Sequence, residues 1–125
     1  MEYEIEIVDI NGRDIPMLFN YDSDKALLGE MLLTERSFIK EIVDLLADGL
    51  EGKNSRCSFN VFTLSVQPKL TVIRDEYRSR RLALDTESFY EAAKDYMNTL
   101  LDIKRKEKAR AADPAADKPQ SKKSD

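Results

Sequence analysis

Four carboxylates, Glu41, Asp44, Asp48 and Glu51, are spaced by three, four and three residues, which puts them on one face of a helix that turns about 100° per residue. Like charges at such spacings repel by about a few tenths of a kcal/mol per pair in an isolated helix, and no Lys or Arg lies within the row. A row of this kind is either a solvated helix face or the meeting place for a basic partner, so these four are the candidate partner-binding residues. A second cluster, Arg74-Asp75-Glu76-Tyr77-Arg78-Ser79-Arg80-Arg81, puts four arginines and an aromatic into eight residues. Guanidinium forks suit phosphate and a tyrosine can stack on a base, which makes Arg78, Arg80 and Arg81 with Tyr77 the candidate nucleic-acid contacts. Asp75 and Glu76 interrupt that run and the net charge of -4 opposes phosphate. Arginines that pair with acids or close a strand end are the plainer reading, and nucleic acid is not the preferred partner.

Catalytic chemistry has few parts to work with. The chain has no histidine, which removes Ser-His-Asp and Cys-His arrangements and every side chain with an unperturbed pKa near ~7. Cys57 is the one cysteine; it cannot close an internal disulfide, and without histidine a zinc site would need carboxylates alone. Gly12, Gly29, Gly49 and Gly52 are too scattered to write a phosphate-cradling loop. Paired acids are expected by chance among 24 of them. The reading is a protein that is not an enzyme, with no metal and no cofactor.

The elements that must position the two clusters follow from periodicity. Tyr3-Glu4-Ile5-Glu6-Ile7-Val8 alternates apolar and acidic residues as a strand with one wet face does. Asn11-Gly12 is the favoured centre of a two-residue hairpin turn, and Ile15 to Tyr21 returns, with Pro16 pointing to a sheet edge. Residues 25–33 contain an apolar run that fits either a buried strand or the first turns of a helix; a third strand is favoured because Gly29 is unfavourable in a helix and Thr34 offers an N-cap after it. From Glu35 to about Leu50, Ile39, Ile42, Val43, Leu46 and Leu50 recur at helical spacing, with Gly49 and Gly52 as a stop. Cys57 to Val66 and Leu70 to Tyr77 read as a second hairpin, which Leu82 and Leu84 extend. Asp85 or Thr86 then caps a helix with Phe89, Ala93, Tyr96, Leu100 and Ile103 on one face. The result is an α+β domain over residues 1–103, a mainly antiparallel sheet in ββ(β)αββα order with two helices packed on one face. Residues 104–112 form a basic helix extension and 113–125 a disordered tail without apolar periodicity.

Charge is partitioned along the chain: residues 1–51 carry 13 acids and 4 bases, a net of -9, whereas residues 53–81 carry 7 bases and 2 acids, a net of +5. Such asymmetry bears on association and solubility. With 42% hydrophobic and 35% charged residues, no stretch long and uncharged enough to span a bilayer and no basic-then-apolar leader, the expected location is the cytoplasm, away from membranes.

The order Leu28-Gly29-Glu30-Met31-Leu32-Leu33-Thr34 before a helix, then Phe59-Asn60-Val61-Phe62-Thr63-Leu64-Ser65-Val66, then Thr86-Glu87-Ser88-Phe89 opening a last helix, resembles small bacterial immunity proteins of contact-dependent growth inhibition and related polymorphic-toxin systems. The resemblance covers roughly residues 1–103 and rests on element order and scattered apolar positions. It implies an immunity or inhibitor protein that binds a toxin and blocks its active site, and the partner it implies is a cationic toxin domain such as a basic nuclease. The class shares no catalytic motif and carries no residue over by position. The alternatives are a small nucleic-acid-associated protein that uses the arginine cluster, or an accessory subunit of a larger assembly that docks through a sheet edge or the second helix.

Overall fold

A computed structural model describes residues 1–112; the expected disordered tail, 113–125, lies outside the described residues. Strands β1 (Tyr3–Ile10) and β2 (Arg13–Asn20) form the expected hairpin, in register from Tyr3↔Asn20 to Ile10↔Arg13. Asn11 (φ 54°) and Gly12 (φ 82°) both adopt the positive φ that a primed turn demands, and the Gly12 N–H donates to Asp9 Oδ1 at 2.8 Å.

The expected third strand at 25–33 is a helix, α1 (Ala26–Thr34). Leu27, Leu28, Met31 and Leu32 are all buried, and these long side chains, unbranched at Cβ, favour helix over strand. The run has only a narrow polar face, the exposed line Ala26, Glu30 and Thr34, because α1 touches β2 on one side and the second sheet on the other. Gly29 does not break it. A Cβ there would stand 2.1 Å from the Leu18 carbonyl oxygen, so glycine is what lets α1 cross β2 this closely.

Thr34 ends α1 and caps nothing. A single 3-10 turn (Arg36–Phe38) follows, and α2 (Ile39–Leu50) starts without a side-chain cap, four residues later than Glu35. Ile39, Ile42, Val43 and Leu46 are buried as expected, whereas Leu50 is 40% exposed. Gly49 packs in its stead, since a Cβ there would meet Val66 Cγ1 at 2.4 Å. Gly52 (φ 109°) terminates the helix, with Gly52 N–H to Gly49 O at 3.0 Å and Lys53 N–H to Asp48 O at 3.1 Å, the paired bonds of a glycine C-cap.

The second sheet is an antiparallel meander of four strands, β3 (Ser55–Ser58), β4 (Phe62–Val66), β5 (Leu70–Asp75) and β6 (Arg80–Asp85), in that spatial order. The run 57–66 is therefore two strands broken at Phe59–Val61, and 80–85 is a full strand rather than a hairpin extension. The β5–β6 turn forms because Asp75 Oδ1 accepts the N–H groups of Tyr77 and Arg78 at 3.0 and 3.2 Å, with Ser79 at φ 55°.

Helix α3 (Thr86–Ala112) runs through Lys104–Arg110. Its cap is Asp85, whose Oδ2 accepts the Ser88 N–H at 3.0 Å. Thr86 is occupied otherwise: its hydroxyl donates to Gln67 O at 2.6 Å and lies 2.9 Å from Thr71 Oγ1. Phe89, Ala93, Tyr96 and Ile103 enter the core and Leu100 is half-buried. The class is α+β, but among the described residues the strands form two sheets, not one, and there are three α-helices, not two. The helices lie between the hairpin, which α1 and α3 contact, and the core face of the meander, which all three contact.

Candidate functional site

The carboxylates of α2 are where periodicity places them. Glu41, Asp44 and Asp48 of α2 and Glu51, its C-cap, are all exposed, on the side of the helix opposite buried Ile39, Ile42, Val43 and Leu46. One local base bears on them after all: Lys40 Nζ meets Asp44 Oδ2 at 3.1 Å, both side chains well exposed. An open i,i+4 pair of this kind contributes about 0.3–0.5 kcal/mol, so it trims the charge of the row without cancelling it.

Beside this face opens a groove of about 1020 Å³, bounded by the hairpin end, the start of α2 and the later turns of α3. Ile15, Ile39, Met97, Leu100 and Leu101 give it an apolar floor, and Leu101 is 47% exposed. Lys40 and Asp44 belong both to the groove wall and to α2's outer face, so the acidic row and the groove form one continuous surface. Sequence periodicity could not show it, because the floor is assembled from three elements distant in the chain. The groove's rim also carries Arg13, Arg36 and Lys104, so the surface has an acidic flank and a mixed margin.

The arginine cluster does not stay together. Strand alternation sends Arg80 to the core side, where its guanidinium donates to Asp75 Oδ2 at 2.6 Å and to Glu30 Oε1 of α1 at 2.6 Å. The Asp75 side chain is only 2% exposed. The adjacent Arg80 guanidinium holds its carboxyl below the usual carboxylate range, against the opposing effect of burial. Arg80 thus ties α1 to the meander and is not available as a phosphate contact. Tyr77 and Arg78 project from the β5–β6 turn, exposed, while Arg81 faces outward from β6 directly opposite Arg74 of β5.

One ionisable side chain that periodicity treats as ordinary is unusual. Glu35 is 0% exposed, and its carboxylate accepts the backbone N–H groups of Asn60, Val61 and Phe62 at 3.2, 2.7 and 3.0 Å. It joins the α1–α2 junction to the β3–β4 turn, beside a tilted Phe38–Phe59 ring pair with centroids 5.4 Å apart. Cys57 sits half-buried on the core side of β3, opposite Leu64, with its Sγ 3.9 Å from the Ser58 carbonyl oxygen. Among the described residues no group of three His, Cys, Asp or Glu could hold a metal ion, and no helix is long and apolar enough to cross a membrane.

Neither family models, nor curated proteins, nor solved structures yield a match to this chain.

Proposed function

We propose that this protein is a non-enzymatic binding protein of the immunity or inhibitor type, which acts in the cytoplasm on a cationic protein partner such as a basic nuclease toxin. The observation that carries this reading is the acidic outer face of α2 running into an open apolar groove. The two parts do different work. Glu41, Asp44, Asp48 and Glu51 present carboxylates along one side of a rigid helix, in the manner of a phosphate backbone, and steer a basic surface into register. Complementary charge chiefly raises the association rate and selects the partner. Affinity comes from buried anchors, and the groove floor of Ile15, Ile39, Met97, Leu100 and Leu101 offers a seat for one apolar or aromatic side chain of the partner.

The test is protection. The C-terminal domain of the protein encoded immediately upstream is expressed under tight control, with and without this chain. The proposal expects growth arrest without the chain, rescue with it, and loss of rescue with Asp44→Lys plus Asp48→Lys. An upstream product that is harmless, or toxicity that the wild-type chain leaves unchanged, contradicts the reading.

A further inference from the structure

The outward side of the β3–β6 meander carries a second surface of opposite sign. Register across the strands aligns Ser58, Thr63, Arg74 and Arg81 in one row, and Arg56 with Ser65 in the next, the row being completed by Val72 and Ala83. These eight positions contain three arginines and three hydroxyl side chains; the row beyond Val72 and Ala83, farthest from the Arg74–Arg81 pair, sets exposed Leu70 opposite exposed Asp85. Arg56, Arg74 and Arg81 are exposed, and among the described residues none of them makes an ion pair. Arg74 and Arg81 stand directly opposite each other, an arrangement that costs stability unless an anion lies between them. The helices pack on the other side of this sheet, and on this side the three arginines and Ser58 are open to solvent while Thr63 between them is buried.

We propose that this face binds the sugar-phosphate backbone of single-stranded nucleic acid. Strands about 4.8 Å apart and same-face residues about 6.8 Å apart along a strand put Arg56 some ~12 Å from Arg74 and ~16 Å from Arg81. A single strand crossing the sheet lays one phosphate on the Arg74–Arg81 pair, the next over the Ser58 and Ser65 hydroxyls, and a third on Arg56; Thr63, buried beneath, holds the Ser58 hydroxyl at 3.0 Å. Arginine forks match phosphate oxygens and hydroxyls donate to them. The two rows hold no aromatic or leucine side chain to anchor a protein partner, whereas a polyanion needs none, because phosphate neutralisation releases counterions. The same lack of aromatics removes base stacking, so the contact is independent of sequence. It uses neither Arg78 nor Arg80 and lies on the side of the molecule away from the acidic face of α2.

The measurement is fluorescence anisotropy of a labelled oligothymidylate and an oligoadenylate of about twelve nucleotides, titrated with the protein at rising salt. Expected are binding at low ionic strength, similar affinities for the two sequences, and a log–log salt slope of about -2, as for three phosphates on a single strand. Arg74→Glu with Arg81→Glu weakens binding at least 10-fold, and Arg56→Glu alone lowers the slope by about 0.7 with the circular dichroism spectrum unchanged. Arg105→Glu, on α3, leaves binding as it was. Failure of the wild-type protein to bind, or an equal loss with Arg105→Glu, overturns the proposal. So does a low-salt rise in sedimenting mass that the double variant abolishes, which would make a second copy's acidic helix the occupant.

Discussion

Glu35 shows how much one side chain can hold. A fully buried carboxylate that accepts three backbone N–H groups fixes a turn that the sheet ladder leaves unpaired. Glu35→Ala removes these bonds and orphans donors in a dry site, and is expected to cost about 3 kcal/mol in urea unfolding. Glu35→Gln keeps the shape and one acceptor oxygen and is expected to cost about half as much. Asp75 gives a pH signature. Its carboxyl lies below the ordinary range because Arg80 is beside it, so its contribution is fully present above the ordinary carboxylate pKa of ~4 and is lost as pH falls through the lower folded value. The stability gap between wild type and Asp75→Asn is expected to narrow as the medium is acidified, and a gap constant from neutral to acid pH would contradict this. Neither role was legible in the sequence. Glu35 opens an amphipathic stretch just as a first-turn helix acid does, and only the fold brings residues 60–62 to it. Arg80 looks like Arg78 and Arg81 until strand alternation turns it inward.

Gly29 marks where element-level reasoning met its limit. Local propensity counts glycine against helix, but the close approach of the Leu18 carbonyl oxygen requires it there. Gly29→Ala should therefore lower the melting temperature, even though alanine favours an isolated helix by about 1 kcal/mol. A rise in melting temperature would mean that α1 and β2 are not packed this closely. The elements that read well were those whose signals are local: the Asn11-Gly12 turn, the 3.6-residue period of α2, and the Asp85 cap of α3. The elements that read poorly depend on distant neighbours. The apolar run of α1 leaves only the narrow exposed line of Ala26, Glu30 and Thr34 because two sheets flank it, and the strand expected over 57–66 breaks where the Glu35 carboxylate captures the turn.

At the scale of the whole molecule, the layers separate charge. Helix α2 turns four carboxylates outward on one side, while the meander turns three arginines outward on the other. The segment totals in the sequence foreshadowed this separation, and the outward placement of the acidic row was legible because three of its members lie on one helix and Glu51 caps it. The groove beside them was not, because the hairpin, α2 and α3 each contribute part of its floor. Substituting Leu101→Ser in the groove is expected to weaken partner binding by about 10-fold, or ~1.4 kcal/mol, chiefly through faster dissociation. Charge reversal on α2 is expected to act mainly on association.

The most direct measurement is titration calorimetry of the wild-type protein and of Asp44→Lys with Asp48→Lys against the C-terminal domain of the protein encoded immediately upstream, at low and physiological salt. Both positions are exposed, and surface substitutions usually shift stability by less than about 0.5 kcal/mol, so the double variant should melt as the wild type does. The account predicts a 1:1 complex that weakens as salt rises and loses more than about 10-fold in affinity, or ~1.4 kcal/mol, in the double variant. Equal affinity of the correctly folded double variant and the wild type would contradict it, and would move the search to the edge of the hairpin along Ile15–Tyr21.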